Sequence, residues 1–216
     1  DGGAAPYTLA WSGPGGFAAS SDSLNNLAIG DYSVSAVDAN GCPANATVTL
    51  TDATPLDVDL TTTTFNGGGN VSCAGVADGG VDLTVSGGAQ PSSFAWTYGL
   101  GFNATSEDIA AVAAGAYQVT VTDANGCILN DLINLVNPQP IDIAATLSSI
   151  NGNNVSCAGA SDGSIDLTVS GGAAPYTFSW SNGADTEDLL AIAAGTFDVT
   201  VTDANGCAAN TSYTLT

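Results

Sequence analysis

Apolar and polar residues alternate along this chain in short runs. Val81, Leu83 and Val85 are separated by Asp82 and Thr84, and Ile165, Leu167 and Val169 by Asp166 and Thr168. Tyr176, Phe178 and Trp180 alternate with Thr177 and Ser179, and Tyr117, Val119 and Val121 with Gln118 and Thr120. A period of two is that of a half-buried β-strand. Further strands are predicted from after Cys127 to about Leu135, and at Leu56–Leu60 and Ile141–Ile143. Six or seven short strands per unit, punctuated by Gly, Asn and Pro, predict an Ig-like β-sandwich. One segment breaks the alternation. Ser106–Ala110 and Thr186–Ala191 read as a short helical turn, capped by Ser106 or Thr186, with acids in its first turn and Gly115 or Gly195 ending it.

The strand pattern recurs. Trp11, Trp96 and Trp180 lie 85 and 84 residues apart, Cys42 and Cys127 85 apart, and Cys73 and Cys157 84 apart. A fixed period of this size marks a tandem array of one small unit. The expected division is a partial repeat at 1–53, a complete repeat at 54–138 and another at 139–216. The last copy is four residues shorter after Trp180. Asp1 aligns with Ser86 and Thr216 with Thr51, so the expectation is a window of a longer array, or a processed subunit. The half repeat is then expected to be completed by preceding chain or by a neighbouring molecule. Pro55, Pro138 and Pro140 at the junctions predict stiff linkers and an extended rod.

Charge narrows the function classes. Lys, Arg and His are absent, and 21 acidic residues give a net charge of −21. About 25 basic residues would be ordinary at this length. Such a chain repels phosphate backbones and anionic membrane surfaces, so neither nucleic acid nor membrane insertion is expected. No apolar run approaches the length of a spanning helix. Catalysis is not expected either. There is no His for a triad, no Lys for a Schiff base and no Arg for an oxyanion. Glu107 and Glu187 occupy equivalent places in separate copies, so they do not form a glycosidase pair.

A unit of about 85 residues is marginal on its core alone. The five cysteines therefore read as covalent staples, with Cys73–Cys127 and Cys157–Cys207 each closing one repeat. Cys42 is then left unpaired within this window. Each bond would contribute about 4 kcal/mol in the chain-entropy treatment, and implies an oxidising, extracellular setting. A metal site is the rival reading, disfavoured because there is no His and no close pair of cysteines.

The acidic motifs carry two readings each. Asp-Ala-Asn-Gly at 38–41, 123–126 and 203–206 is a tight-turn signature, in which Asp makes an Asx turn. Asp78 with Asp82, and Asp162 with Asp166, flank a turn entering a strand. Calcium is the ion such acids would take, with Asp78, Asp82, Asp123, Asp162, Asp166 and Asp203 as its ligands, although the spacing is not that of an EF-hand. No other cofactor is expected. Asn45, Asn70, Asn103, Asn154 and Asn210 head Asn-x-Ser/Thr triplets, about as many as composition alone produces. Asp22-Ser23-Leu24 fits a short O-glycosylation pattern of Bacteroidetes surface proteins, with Ser23 as acceptor. Tyr98 and Phe102, on the loop after Trp96, are candidates for stacking on a surface glycan.

The run Ser72-Cys73-Ala74-Gly75, then Asp78-Gly79, Asp82-Leu83-Thr84-Val85-Ser86-Gly87-Gly88-Ala89, Trp96, and Gly115 through Asp123-Ala124-Asn125-Gly126-Cys127 resembles the SprB repeat. The likeness covers 72–127 and 156–207 well and 1–42 in part. The first copy departs from it, with Ser21-Asp22-Ser23-Leu24 where the third has Thr186-Glu187-Asp188-Leu189. SprB repeats occur in very large cell-surface adhesins of Bacteroidetes, including gliding-motility proteins. The resemblance implies export, by the type IX route, to the cell surface. The expectation is an all-β array of disulfide-stapled Ig-like sandwiches, acting as an extracellular stalk or self-associating filament. Its partners would be copies of itself or continuing repeats. The alternative is a module binding calcium or glycan.

Overall fold

The computed structural model describes residues 2–99 and 101–216, and is β throughout apart from one 3-10 turn at Pro14–Gly16. The chain divides into two compact units, Asp1–Pro55 and Leu56–Thr216. The first unit holds β1 (Thr8–Gly13), β2 (Phe17–Ala19), β3 (Gly30–Val37) and β4 (Pro43–Leu50) in one antiparallel sheet of order β2-β1-β3-β4. Tyr32 is its buried hydrophobic residue, whereas Trp11 is half-buried.

The second unit contains the second and third copies. The second copy runs through β5 (Asp57–Thr62), β6 (Gly79–Ser86), β7 (Ser93–Tyr98), β8 (Phe102–Ala104), β9 (Ile109–Val112), β10 (Gly115–Thr122) and β11 (Ile128–Leu135). Its sheets are β5-β6-β9 and β11-β10-β7-β8. First, second and fifth strands thus face third, fourth, sixth and seventh, which is an Ig-like sandwich. The core lies between them, with Val81, Leu83, Ile109 and Val112 from one sheet against Trp96, Tyr117, Val119, Val121 and Leu135 from the other. The alternation of the sequence is the alternation of burial. Along β10, Tyr117, Val119 and Val121 are buried while Gln118 is exposed.

The third copy repeats this with β12 (Asp142–Leu147), β13 (Gly163–Ser170), β14 (Thr177–Trp180), β15 (Leu189–Ile192), β16 (Gly195–Thr202) and β17 (Ala208–Leu215). Its sheets are β12-β13-β15 and β14-β16-β17. The shortened loop after Trp180 carries no counterpart of β8. Ile165, Leu167, Trp180, Leu189, Val199, Val201 and Leu215 form its core.

Two local expectations are corrected. The segments after Ser106 and Thr186 are not helical turns but lead into edge strands β9 and β15, which pair with β6 and β13. Ile109 and Leu189 are buried, and the Asp108 and Asp188 carboxylates accept the N–H groups of Leu83 and Leu167, both at 2.9 Å. Ladder pairing and burial outweigh the helix-forming composition of the segment. Ala111 and Ala191, each at φ 55°, are the extra residues of bulges in these strands. Gly115 and Gly195 open the following strands rather than closing a helix.

The second correction concerns the tryptophans, which by analogy with Ig-like folds are expected to pack near the disulfide in the core. The indole N–H groups of Trp96 and Trp180 instead donate to the loops leading into β9 and β15, and that of Trp11 to the loop after β2. Trp96 reaches the carbonyls of Ser106 and Glu107 at 3.1 Å, Trp180 that of Thr186 at 2.8 Å, and Trp11 that of Ser21 at 3.0 Å. The disulfide lies elsewhere, because strand direction decides which loops share an end of the sandwich.

Candidate functional site at the repeat junction

The loop leading into β1, β7 or β14 and the turn between the last two strands meet at one end of each copy. In the third copy, Asp203 binds them together. Its Oδ1 accepts the N–H groups of Asn205 and Cys207, both at 2.9 Å, and its Oδ2 accepts that of Ala173 at 3.0 Å. Ala204 N–H then donates to the Ala173 carbonyl at 2.8 Å. Asp123 does the same for Asn125, Cys127 and Ala89, and Asp38 for Asn40, Cys42 and Ala4. These bonds, the one from Ala89 first and the one from Cys127 next, hold the Asp123 carboxyl below its ordinary pKa; for Asp38 they come from Ala4 and Cys42. The Asx turn is therefore a rigid mount for the cysteine four residues on.

The other cysteine sits at the opposite end of the sandwich, in the loop between first and second strands. Asp78 accepts the Ser72 N–H at 2.9 Å, and Asp162 that of Ser156 at 3.0 Å. Hydrogen bonding from Ser72 and Ser156 lowers both carboxyl pKa values. Asn70 clamps this loop to the end of β11. Its Nδ2 donates to Thr62 Oγ1 and Thr63 O, its Oδ1 accepts Val136 N–H, and its own N–H donates to the Val136 carbonyl, all at 2.9 Å. Asn154 makes the equivalent bonds to Ser148 and Thr216.

This geometry corrects the expected disulfide pairing. Cys73 and Cys127 stand at opposite ends of one sandwich, separated by eight-residue strands about 26 Å long. A disulfide requires Cα atoms within about 7 Å. Cys73 bonds instead to Cys207 of the next copy, with a Cα–Cα distance of 5.5 Å. Cys127 and Cys157, expected to be bonded, are free and exposed, as is Cys42. The staple does not close a repeat; it joins the foot of the second copy to the head of the third.

The rest of the junction is built around this bond. Asn205 Nδ2 donates to the Asn66 carbonyl at 2.8 Å, and Gly172 N–H to the Gln139 carbonyl at 2.9 Å. Gly67 has φ +83°, and a Cβ there would lie 2.8 Å from the Gly172 carbonyl oxygen, so only glycine allows the approach. A cleft of about 370 Å³ remains, walled by Cys73 and Ala74, by 138–141, and by Gly206 to Ala209.

The other candidate residues are not brought together. Asp82 and Asp166 are not buried, whereas Asp123 and Asp203 are buried with both carboxylate oxygens occupied by N–H groups. Among the described residues no three acids or thiols gather as metal ligands. Ser23, Asn45, Asn103 and Asn210 are exposed, whereas Asn70 and Asn154 spend their side chains on the loop clamp. Phe102 is not exposed as expected but packs edge-on against Tyr117 at 5.3 Å; Tyr98 is partly exposed and lies 4.8 Å from the same ring. No described helix is long and apolar enough to cross a membrane.

Sequence reasoning passed over Asn70, Asn154, Asp108 and Asp188. Their recurrence at equal positions in the two copies was the available signal. It also passed over Tyr117, whose hydroxyl donates to the Ala113 carbonyl at 2.9 Å, as Tyr32 does to Ala28. This is the tyrosine corner of Ig-like folds.

Comparison with solved structures finds similarity to Ig1-Ig2 of Dpr2 in complex with DIP-Theta Ig1-Ig3, at 11% identity and TM-score 0.34, covering 97% of this chain and 88% of that one. A tetra-tandem repeat in the extending region of a large adhesion protein is 16% identical with TM-score 0.28, over 98% of this chain and 68% of that one. A Salmonella alpha-2-macroglobulin is 10% identical with TM-score 0.27, over 98% and 21%. Comparison with curated proteins finds no match. Comparison with protein families matches the SprB repeat over residues 69–101 and 149–185, spanning Cys73, Trp96, Cys157 and Trp180. The family model thus matches two segments of the chain, one in the second copy and one in the third.

Proposed function

We propose that this chain is a load-carrying segment of an extracellular, adhesin-type repeat array, in which successive sandwiches are clipped together covalently. The observation that carries the reading is the Cys73–Cys207 bond between copies. A bond within a repeat stabilises that repeat alone. A bond between repeats fixes one against the next and withstands tension along the array. The SprB repeats support a surface location, as does a disulfide, which persists in oxidising surroundings. The second and third copies are filled with packed side chains, and their buried acids, Asp123 and Asp203, accept backbone N–H groups, which supports a structural rather than a catalytic role.

Immunogold labelling of intact cells, with antibody against residues 56–216, tests the reading. Label on material projecting from the cell surface is expected. Label seen only after permeabilisation refutes it.

A further inference from the structure

Six Asn-Gly pairs lie along the chain, and the structure sorts them into two kinds. At Asn40, Asn125, Asn182 and Asn205 the asparagine is third in a four-residue turn and its glycine fourth, so the glycine N–H closes the turn. Gly41, Gly126 and Gly206 donate to the carbonyls of Asp38, Asp123 and Asp203 at 2.9, 3.0 and 3.0 Å, and Gly183 to that of Trp180 at 3.0 Å. At Asn66 and Asn151, which hold equal positions in the second and third copies, the pair sits one place earlier in its turn. The residue after the glycine closes it instead. Gly68 N–H donates to the Phe65 carbonyl at 3.3 Å, and Asn153 N–H to that of Ile150 at 3.0 Å. Among the described residues, neither Gly67 nor Gly152 has a protein acceptor for its N–H. Both pairs are exposed.

The difference is chemical. The nitrogen of the next residue is the nucleophile that closes an asparagine side chain into a succinimide, and glycine hinders it least because it has no Cβ. A nitrogen whose N–H is engaged by a carbonyl within a closed turn is held from that attack, whereas an unengaged one is free to make it.

We infer that Asn66 and Asn151 are sites of self-modification, and that the junction between the second and third copies holds Asn66 back. The glycine nitrogen bonds to the asparagine Cγ and gives up its proton. The Cγ–Nδ2 bond breaks, and ammonia leaves with that proton. Water then adds to one ring carbonyl and opens the ring, to aspartate or, with the main chain rerouted through the side chain, to isoaspartate. No oxidant or reductant takes part. At the junction the reacting atoms are restrained. The Asn66 carbonyl, which must turn as the ring closes, accepts Asn205 Nδ2 at 2.8 Å, and Gly67 lies so close to the Gly172 carbonyl that a Cβ would not fit. Isoaspartate would add a main-chain carbon and a carboxylate at this contact. A clipped junction therefore preserves its loop, and a junction left open loses, with time, the loop that seats there.

The inference goes beyond the array reading and does not need a surface location, so each can fail without the other. Purified full-length chain is aged at mildly alkaline pH in water labelled with ¹⁸O, alongside Cys207→Ser, which has no clip, and Asn205→Ala, which keeps it. After reduction the chains are cut before Asp residues. Each pair then falls in its own peptide, 38–51, 59–77, 123–130, 142–161, 166–184 or 203–216. Every new carboxylate carries ¹⁸O, and isoaspartate resists the cut that aspartate admits. Label is expected at Asn151 in all three chains. At Asn66 it should appear about fivefold faster in both variants than in the parent, the worth of one hydrogen bond. The turn-closing pairs should stay unlabelled over the same span, which also shows that Cys207→Ser remains folded. In urea all six pairs of the parent should react alike. The inference is overturned if the turn-closing pairs of the folded parent react as fast as Asn151, if Asn151 reacts only in urea, or if Asn66 reacts no faster in Asn205→Ala than in the parent.

Discussion

Pulling the chain by its ends separates the two possible disulfide patterns by length. The Cys73–Cys207 bond places 134 residues of sequence behind a Cα–Cα step of 5.5 Å. At about 3.4 Å per extended residue, that hides about 460 Å of contour length from the applied force. Bonds within each repeat, Cys73–Cys127 and Cys157–Cys207, would hide only about 350 Å. The difference of about 100 Å is the length of some 30 residues, well resolved by single-molecule force spectroscopy.

The assay uses full-length protein with handles at both termini and with Cys42, Cys127 and Cys157 alkylated. Final contour lengths are compared before and after reductant. A gain of about 460 Å on reduction is expected, and Cys73→Ser should show the long contour from the start. Cys127→Ser should behave as the parent chain. A gain near 350 Å, or a longer contour in Cys127→Ser, would refute the inter-repeat clip and the load-bearing role built on it. The same bond stabilises by constraining the unfolded chain. For a loop of this length the entropy treatment gives a ceiling of about 5 kcal/mol.

Tyr117→Phe removes the hydroxyl that donates to the Ala113 carbonyl and should cost about 1 kcal/mol in urea unfolding; the third copy already has Phe197 at this place and shows what the fold tolerates. Ala111→Gly and Ala191→Gly place glycine at bulge positions held at φ 55°, where a Cβ is unfavourable, and each should raise stability by up to about 1 kcal/mol; a loss of stability would show that the Ala methyl groups do more than occupy the bulge.

The core strands of the second and third copies were legible because one face of each is buried, so period two maps directly onto Val81, Leu83, Tyr117 and Val119. The likeness to the SprB repeat was legible because the cysteine and tryptophan motifs recur at a fixed interval. What misled was proximity along the chain. Cys73 and Cys127 share a repeat, but in a sandwich of this order the loop after the first strand and the turn after the sixth lie at opposite ends. The same sequence read with strand direction in hand would have sent Cys73 to the next copy. The segment at Thr186–Ala191 misled for a different reason. Its residues favour a helix in isolation, yet Leu189 is drawn into the core and the Asp188 carboxylate extends the β13 ladder. Asn70 and Asn154 were passed over because a sequon that composition alone produces says nothing about which way an amide points.

A chain without Lys, Arg or His must answer its carboxylates another way, and here the backbone supplies most of the donors. Asp38, Asp78, Asp108, Asp123, Asp162, Asp188 and Asp203 all accept main-chain N–H groups. Two consequences follow for solution behaviour. Asp38, Asp78, Asp123 and Asp162 hold their protons less readily in the folded chain than the ordinary value near 4 would give. The unfolded chain takes up those protons first as pH falls, so their contribution is present above about pH 4 and is lost progressively below it. Salt acts in the opposite sense to its effect on a protein held by surface ion pairs. There are no such pairs to weaken, only repulsion among 21 acids. Between about 10 mM and 1 M salt the screening length falls from about 30 Å to about 3 Å. The melting temperature followed by tryptophan fluorescence at neutral pH should therefore rise monotonically with sodium chloride. A fall would mean that favourable charge contacts, absent among the described residues, hold the chain together.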